Sequence, residues 1–443
     1  MNDWRVDSLG SLASIRRGIS YSEATLQDNE EDGRPYINMK SFLKDGGYNK
    51  NGLKFFSGHF AKADVATERS LLLANTDVTL AGDIIGVPAL LPPHLQEQGV
   101  LFSHHVTQLL LREQIKPKFL YYLLCTGKYR RRMHKYARGT TVLMLDMGGI
   151  KNISIEYPGD HETQDRIAAV LMSIDTAIEK TEALIAKYQR IKAGLMQELF
   201  TRGLLPDGQL RPPRERAPAL YQETSLGWFP KERTKTTLRN AVGGENIVNG
   251  PFGSDLLTSE LRKEGVPVLY VQDIKAGAFH RVSLAHVTRQ KADQLAFCNV
   301  RKGDVLIAKV GSPPCDSCVY DMDETAIVTQ DVIRLRPTAA INADYVSALL
   351  NSPFGRKAIK RISIEGTRER VSLTQFKELT FLIAEPCEQS VVGKRLHDVQ
   401  AHLELETHKS LKLRSLKIGL MQDLLTGKVP VRVSEPALEA LVA

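Results

Sequence analysis

Apolar residues recur at steps of mostly three and four positions along two segments of the chain, the spacing that lines one narrow face of an α-helix. The first seam spans positions 167–199 and the second spans positions 392–424. A polar side chain interrupts both seams at the same place, Thr181 in the first and Glu406 in the second. A helix of about 40 residues is roughly 60 Å long, and a small globular domain cannot cover such a seam. The pattern predicts two long helices that pack on each other as an antiparallel coiled coil.

The two helical segments are copies of one sequence. Residues 191–203 read IKAGLMQELFTRG and residues 416–428 read LKIGLMQDLLTGK, a shift of 225 positions. Upstream, Gln164 matches Gln389 with the same shift. This period is far beyond the roughly 20–50 residues of a solenoid repeat and indicates the duplication of a large unit, a pseudo-twofold internal repeat.

Glycine recurs inside both helical segments, at Gly194 and Gly419. Glycine in a helix interior costs about 1 kcal/mol relative to alanine, so its recurrence predicts that another helix approaches the backbone closely. The outer helix faces also carry apolar residues, Leu184, Ile191 and Leu195, which further helices can cover.

The segments that precede the two helices share a series of short patterns in the same order. Both open near a tryptophan, Trp4 or Trp228, and continue with a glycine loop, strand-like runs, a VTQ tripeptide, an apolar helix start, a GT loop and a final strand. In the first copy the patterns are GISYS (18–22), PYINMKSF (35–42), LAGDIIGV (80–87), VTQ (106–108), FLYYLL (119–124), GT (139–140) and ISIEYP (153–158). In the second copy they are GPFGSDL (250–256), PVLYVQDI (267–274), RKGDVLIAKVGS (301–312), VTQ (328–330), YVSALL (345–350), GT (366–367) and FLIAEP (381–386). Short β runs mixed with one or two helices predict an α+β fold for both copies.

The composition is that of a globular protein with a basic surface. Of the 443 residues, 42% are hydrophobic and 25% are charged, and the net charge is +8. This charge favours an anionic partner. No apolar run approaches the ~18 residues of a transmembrane helix, the first residues do not resemble a secretion signal, and the five cysteines are sparse. A cytoplasmic protein without membrane association is therefore expected.

The sequence contains no motif of a common catalytic or nucleotide-binding site. The GxxxxGK[ST] phosphate loop, the HExxH zinc motif, the GxSxG nucleophile elbow and the DPPY or NPPY motif of methyltransferases are all missing. Cys315 and Cys318 form an isolated CxxC without the further ligands that zinc requires. Neither a metal site nor catalysis is expected in this chain.

Two basic segments lie at matching positions of the two copies, residues 127–141 and residues 356–370. Read as a helix, the first segment presents an apolar stripe from Tyr129 to Tyr136 and a basic stripe on another face. Lysine and arginine on such a face suit phosphate groups, contacts that position a protein on a duplex without reading its bases. A single charge run is usually a solvated surface, but its repetition favours nucleic acid as the partner.

The loops that follow the repeated strands carry side chains that can donate to and accept from the edges of bases. They differ between the copies, with HH (104–105) against AI (326–327) and TTVL (140–143) against TRER (367–370). Similar frames with different loops predict two modules that read different DNA sequences. The candidate DNA-binding residues of the first copy are Arg17, Tyr21, Ser22, Lys40, His104, His105, Arg131, Lys135, Arg138, Thr140 and Thr141. Those of the second copy are Ser254, Lys309, Ser312, Gln330, Lys357, Arg361, Thr367, Arg368 and Arg370.

The helix endings GLMQELFTRG and GLMQDLLTGK, the ETQ and EQ that open the helices (162–164 and 388–389), and the two Trp-to-Pro units before them carry a family resemblance. The chain resembles, over nearly its whole length, the specificity (S) subunit of type I restriction–modification systems. One departure is visible at the junction between domain and helix, because Pro158 and Pro386 are 228 rather than 225 positions apart.

The resemblance implies an α+β protein with two similar target recognition domains separated by two long helices. The implied segments are target recognition domain 1 (1–157), a central conserved spacer helix (158–204), a linker (205–224), target recognition domain 2 (225–385), a distal conserved spacer helix (386–430) and a C-terminal tail (431–443).

The resemblance also implies a non-catalytic subunit that reads a bipartite, asymmetric target in double-stranded DNA, one domain per half-site. Such a subunit holds two modification (M) subunits, which methylate adenine with S-adenosylmethionine, and two restriction (R) subunits, which use ATP and Mg²⁺. No cofactor is expected in this chain. Two modules on a rod of roughly 60 Å, about 17 base pairs, would read half-sites separated by an unread spacer.

Three other functions account for parts of the sequence. A single-chain restriction–methylation enzyme predicts a methyltransferase motif, which is missing. A coiled-coil adaptor that binds only protein leaves the two basic segments unexplained. A stand-alone tandem-domain DNA-binding regulator predicts tight DNA binding by the chain alone, whereas a specificity subunit is expected to need its modification partners.

Overall fold

The chain forms two compact units, each made of one α+β domain and parts of both long helices. The α+β fold of the domains was predicted. The computed structural model describes residues 4–79, 81–224, 227–364, 366 and 368–431, without the side chains of Asp32 and Ser254. Unit 1 contains Met1–Lys180 and Ser410–Ala443, and unit 2 contains Thr181–Lys409. None of the described helices has the length and apolar character needed to cross a membrane.

Two long helices confirm the main prediction from the hydrophobic pattern. They are His161–Thr201, called the first long helix, and Pro386–Leu424, called the second long helix. In unit 2 the ring of Tyr188 stacks on that of His402 with centroids 5.5 Å apart. One turn further along the first long helix, Lys192 Nζ donates to Gln400 Oε1 at 2.6 Å. The residue numbers rise along one helix and fall along the other, so the helices are antiparallel.

The same lysine contact occurs in unit 1. Lys417 is the repeat of Lys192, and its Nζ lies 2.6 Å from Oδ1 of Asp175, which is the repeat of Gln400. In unit 2 burial lowers the pKa of the Lys192 ammonium. The internal repeat therefore extends from the sequence to the side-chain contacts between the helices.

The predicted seams are buried or half-buried along both helices. The seam residues are Ile167, Leu171, Ile174, Ile178, Ile185, Tyr188, Leu195 and Leu199 in the first helix, and Val392, Leu396, Val399, Leu403, Ser410, Leu413, Leu420 and Leu424 in the second. The hydrophobic core of unit 1 includes Leu171 and Leu424, and that of unit 2 includes Leu199 and Val392. Each domain thus packs on both helices.

The two helical glycines do not meet another helix of this chain. At both Gly194 and Gly419, an added Cβ would have no heavy atom of the described residues within 4 Å. The predicted close approach is therefore wrong within this chain, because the repeated glycines face open space rather than the seam.

A buried glutamine fixes the start of the first long helix to the domain before it. The side-chain oxygen of Gln164 accepts the N–H of Lys116 at 2.8 Å, and its amide donates to the carbonyls of Gln114 and Pro158 at 3.0 and 2.9 Å. One side chain thereby joins the helix to a loop and to the last strand of the domain.

Gln389 makes the same three hydrogen bonds at the start of the second long helix. It accepts the N–H of Asn342 at 2.9 Å and donates to the carbonyls of Ala340 and Ala384 at 2.9 and 2.8 Å. The match between Gln164 and Gln389 in the sequence is therefore a match of structural role.

Two four-stranded sheets form the domain of unit 1. The first has the order Ala13–Arg17, Val106–Leu111, Ser70–Ala74, Pro88–Ala89, all antiparallel. The second has the order Leu26–Gln27, Lys54–Phe56, Arg34–Ile37, Leu101–Phe102, with the last pair parallel. The other strands are Trp4–Ser8, Thr76–Asp77, Ala137–Arg138, Leu143–Leu145 and Ser154–Pro158, and the helices are Leu9–Leu12, Pro93–Gln98, Pro117–Cys125, Gly127–His134 and Met147–Ile150.

The domain of unit 2 also contains two four-stranded sheets, but the parallel pair of its second sheet is central rather than at the edge. Its first sheet has the order Ile247–Asn249, Val332–Leu335, Val305–Ala308, Ser317–Val319, and its second has the order His286–Val287, Val266–Leu269, Ala326–Val328, Asn299–Val300, again with one parallel pair, 266–269 with 326–328. The other strands are Tyr221–Thr224, Gly227–Pro230, Thr234–Thr237, Ile274–Lys275, Ala278–Phe279, Val310–Gly311, Glu369–Arg370 and Thr380–Ile383, and the helices are Leu238–Val242, Arg289–Gln294, Ala343–Asn351, Pro353–Lys360 and Leu373–Lys377.

The sheets correct two of the pattern matches drawn from the sequence. The central strand is Val106–Leu111 in unit 1 and Val332–Leu335 in unit 2, so the second VTQ (328–330) ends a different strand from the one that the first VTQ begins. The counterpart of the strand in RKGDVLIAKVGS (301–312) is Ser70–Ala74, whereas the described residues of LAGDIIGV form turns. Short identical strings misaligned the copies because they ignore which strands pair.

The two tryptophans are not equivalent either. Trp4 begins a strand that pairs with Ser154–Pro158. The corresponding strand of unit 2 is Thr234–Thr237, which pairs with Thr380–Ile383, and Trp228 lies in the hairpin before it.

The basic segment 127–141 is only partly helical. The helix ends at His134, and Arg138 lies in a strand. Gly139, whose φ of +116° favours glycine, lies in the turn of the hairpin that contains Arg138. Tyr129 and Met133 are buried as predicted.

The two cysteines of the CxxC are core residues. Cys315 and Cys318 are fully buried, and burial raises the pKa of the Cys315 thiol to about 12. Among the residues that the structure describes, no group of three or more His, Cys, Asp and Glu side chains is arranged to hold a metal ion.

Candidate nucleic-acid interface

Each domain has an edge where a glycine follows the end of a strand of its first sheet. Gly18 follows Ala13–Arg17, and a Cβ there would overlap the carbonyl of Phe102. Gly250 follows Ile247–Asn249, and a Cβ there would overlap the carbonyl of Val328. Only glycine allows this close approach, so the loop that follows leaves the sheet in the same way in both units.

The first edge collects several predicted DNA-binding residues around this loop. Its aromatic side chains form a row, with ring centroids 5.8 Å apart for Tyr21 and His104 and 3.8 Å apart for His104 and His105. Tyr21 is 40% exposed. Arg17, the residue before Gly18, is exposed as well.

The hairpin of Ala137–Arg138 and Leu143–Leu145 extends the first edge. Arg138 lies opposite Met144 in this hairpin, and Nη2 of Arg17 lies 3.2 Å from Sδ of Met144. Thr140 and Thr141 are exposed in the turn. The first edge is therefore defined by Arg17, Tyr21, His104, His105, Arg138, Thr140 and Thr141.

His105 is a half-buried group at this edge, and its surroundings favour the neutral imidazole. Burial lowers the pKa of its imidazole, and the nearby His104 and Arg17 lower it further. Its Nδ1 lies 3.1 Å from Oγ1 of Thr76. A neutral imidazole offers one donor and one acceptor, which suits the edge of a base better than a phosphate.

The second edge has the same frame and different side chains. Nζ of Lys309 lies 5.8 Å from the ring centroid of Phe252, which is 55% exposed. The strand Val310–Gly311 after this lysine pairs with Glu369–Arg370. Asn249, beside Gly250, donates to the carbonyl of Gln330 at 3.3 Å. The second edge is therefore defined by Asn249, Phe252, Lys309, Ser312, Gln330, Arg368 and Arg370.

The cationic side chains of both edges have no acidic partner among the described residues. Within the described part of the chain, no carboxylate forms an ion pair with Arg17, Arg138, Lys309, Arg368 or Arg370. In contrast, Lys128 contacts Glu156 at 2.7 Å. Unpaired cations retain their full charge for phosphate groups.

Comparison with known proteins finds similarity to the same family that the sequence pattern resembles. Residues 1–188 match the model of the type I restriction modification DNA specificity domain. The type I restriction enzyme MjaVIII specificity subunit of Methanocaldococcus jannaschii is 22% identical over 97% of this chain and 94% of its own length. The EcoBI specificity subunit of Escherichia coli is 21% identical over 91% of this chain and 80% of its own. The resemblance to type I specificity subunits is confirmed.

A solved structure supports the fold of a specificity subunit. The crystal structure of the type I restriction–modification system S subunit from M. genitalium aligns with a TM-score of 0.61 at 17% identity, covering 96% of both chains. The two α+β domains and the two long helices described above thus have the fold of that S subunit.

The other predicted DNA-binding residues of the two domains are not among the contacts that define the edges, or they are outside the described residues. Arg131 lines an apolar groove in unit 1, and Lys357 and Arg361 line a groove in unit 2. Lys135 caps the end of the helix Gly127–His134, Lys40 lies in the 3₁₀ turn Met39–Ser41, and Ser22 precedes the turn Glu23–Thr25. Thr367 and the side chain of Ser254 are not among the described parts of the chain.

Sequence reasoning missed two residues of the second edge. Asn249 and Phe252 stand just before and after Gly250, which the sequence had matched to the Gly18 loop. The exposed aromatic two residues after Gly250 parallels Tyr21, three residues after Gly18. A comparison of aromatic positions after the two glycines would have found Phe252.

Proposed function

We propose that this chain is the DNA-reading subunit of a type I restriction–modification complex and that each edge reads one half of a bipartite, asymmetric target in double-stranded DNA. The proposal rests on the observation that the two edges share one backbone arrangement but present different side chains. The first edge presents an aromatic and histidine row where the second presents Phe252 and Lys309. Two domains with the same backbone arrangement bind a duplex in the same orientation, and their different side chains select different bases.

The side chains at the edges divide into two roles. The unpaired arginines contact phosphates and supply salt-dependent affinity without selectivity. His104, His105, Gln330 and the threonines of the hairpin turn donate to and accept from base edges. Tyr21 and Phe252 offer apolar contact to thymine methyl groups.

In this proposal the chemistry belongs to partner subunits. Two modification subunits methylate adenine with S-adenosylmethionine, and two restriction subunits use ATP and Mg²⁺. The sequence of this chain has none of the catalytic motifs named above. A base must be rotated out of the duplex before it can be methylated. This chain therefore binds the duplex through its edges while the modification subunit binds the rotated base.

Mapping of N6-methyladenine tests the proposal. Cells that express the modification subunit of the system are sequenced by a long-read method with and without this chain. We expect methylation at one bipartite motif that depends on the chain. Methylation that persists without the chain contradicts the proposal, and tight sequence-specific DNA binding by the chain alone favours a stand-alone regulator.

A further inference from the structure

A short 3₁₀ turn lies beside each edge, where a strand of the second sheet ends. In unit 1 the strand Arg34–Ile37 runs parallel to Leu101–Phe102, and in unit 2 the strand 266–269 runs parallel to 326–328. Two parallel strands point the same way, so the segments that follow them lie at the same border of the sheet. The segments after Phe102 and Val328 belong to the two edges, and the turns therefore lie next to the edges.

Backbone hydrogen bonds join each turn to its edge. The N–H of Ser103 donates to the carbonyl of Ile37 at 2.9 Å, and the N–H of Thr329 donates to the carbonyl of Leu269 at 3.1 Å. In both units the donor comes directly before a residue that defines the edge. The position of each turn relative to its edge is therefore fixed by the backbone.

Side chains hold the turn Met39–Ser41 of unit 1 in place. Nδ2 of Asn38 and Oγ of Ser41 both donate to the carbonyl of Gly52 at 3.0 Å. Oδ1 of Asn38 accepts the N–H of Lys40 at 2.8 Å. The backbone around Lys40 is therefore held on both sides.

A different set of side chains holds the turn Val271–Asp273 of unit 2. The side chain of Asp273 is fully buried, and its Oδ2 accepts the N–H of Tyr270 at 2.8 Å. Its Oδ1 accepts the N–H groups of Val282 and Ser283 at 2.8 and 2.7 Å. Two unrelated hydrogen-bond networks therefore keep the same turn at the same place.

Each turn presents its middle residue to solvent. The three residues are half-buried, exposed and buried in the same order in both turns, and the exposed ones are Lys40 and Gln272. Within the described residues, neither side chain forms a hydrogen bond or an ion pair. Packing does not explain their identity, and a side chain on a fixed backbone loses less freedom when it binds.

Lysine and glutamine differ in the base that they recognise. Lysine donates to O6 and N7 of guanine, whereas the amide of glutamine donates to N7 and accepts from N6 of adenine. The change from Lys40 to Gln272 between the copies therefore corresponds to a change in the preferred base. A turn kept in both copies with a different exposed side chain is the arrangement that reading two half-sites requires.

We propose that Lys40 and Gln272 are specificity-determining residues, and that Lys40 selects guanine in one half-site while Gln272 selects adenine in the other. The inference rests on the proposed function, in which each edge reads one half-site. It adds Gln272 to the candidates identified from the sequence, and it assigns a base to Lys40.

Exchange of the two side chains tests the assignment. The full chain with Lys40→Gln or Gln272→Lys is assembled with the modification subunit, and methylation rates are measured on duplexes that carry each base at each position of the motif. Lys40→Gln should change the ratio of the rates on guanine and adenine at least about tenfold, equivalent to about 1.4 kcal/mol, at one position of one half-site. Gln272→Lys should do the reverse in the other half-site. Lys40→Arg should retain guanine, because arginine makes the same contacts.

Matched substitutions at exposed positions outside the two turns provide the controls. Lys62→Gln, in the 3₁₀ turn Lys62–Asp64, and Gln294→Lys, at the end of the helix Arg289–Gln294, should leave every base preference unchanged. Retained selectivity for the other half-site shows that an exchanged variant is folded.

Two results would overturn the inference. One is an unchanged base preference in both exchanged variants, and the other is slower methylation by the same factor with every base, which would place the side chains on phosphates. If the unaltered complex methylates no bipartite motif, the proposed function fails and the inference fails with it, whereas unchanged preferences overturn the inference alone.

Discussion

At the residue scale, the backbone of each edge requires a glycine because a larger residue would not fit. Gly18 and Gly250 lie against the carbonyls of Phe102 and Val328, where a Cβ has no room. Gly194, in contrast, sits in an open stretch of helix. The same residue type therefore has opposite consequences for stability at the two kinds of position.

Replacement of Gly18 by alanine should destabilise unit 1 selectively. We expect a decrease in stability of about 1–3 kcal/mol, the usual cost of overpacking, seen as faster amide hydrogen exchange in Ala13–Arg17 than in the equivalent strand Ile247–Asn249. Gly194→Ala is the control and should stabilise its helix by up to about 1 kcal/mol. Equal amide exchange in both strands of the Gly18 variant would show that the backbone shifts to accommodate the Cβ, which would contradict this prediction.

Arginines without acidic partners should contribute salt-dependent affinity. In the assembled complex, Arg17→Ala combined with Arg138→Ala should reduce the slope of log K against log salt by about 0.9 for each phosphate that the variant no longer neutralises. Fluorescence anisotropy with target and non-target duplexes should show similar weakening for both. Lys187→Ala, at an exposed position of the first long helix, is the control. An unchanged slope would mean that these arginines do not bind phosphates.

At the element scale, the sequence predicted the long helices well and the domain interiors less well. An apolar seam that repeats over about ten turns fits only the period of an α-helix. The matching glutamines already marked both helix starts. The strands are short and pair with partners far along the chain, so identical tripeptides such as VTQ align by chance. Arg138 was placed on a helix because the pattern could not show that Gly139 turns the chain into a hairpin.

The edges show the same limit of sequence reasoning. Arg17, His105 and Arg138 were each identified as candidates, but their meeting depends on contacts through Thr76 and Met144. Such contacts arise from sheet topology, which no local pattern encodes. Arg131 was identified as a candidate from its charge alone, and that pattern could not show that the side chain lines an apolar groove.

Loss of either buried glutamine should release the start of one long helix from its domain. Gln164→Leu leaves the Lys116 N–H and two carbonyls without their partner, at about 1–3 kcal/mol for each buried group left unpaired. We expect the Lys116 amide to exchange faster while the Asn342 amide stays protected, and Gln389→Leu to do the reverse. Gln189→Leu, at an exposed position, is the control. Protection of Lys116 in the Gln164 variant would contradict this role.

At the scale of the whole molecule, one duplication supplies the same backbone frame twice. In the proposed function, the different side chains at the two edges give two DNA specificities. The net charge of +8 adds attraction for DNA over the whole surface without selecting a sequence. In the proposed function, specificity therefore comes from the few side chains at each edge.

The most direct test of this account is the methylated motif of cells that express edge variants together with the modification subunit. Long-read mapping of N6-methyladenine would compare the unaltered chain, a first-edge variant with His104→Ala and His105→Ala, and a second-edge variant with Phe252→Ala and Lys309→Ala. We predict that each variant relaxes one half of the bipartite motif and leaves the other half unchanged. A variant that alters both halves equally, or an unchanged motif in both variants, would contradict the account.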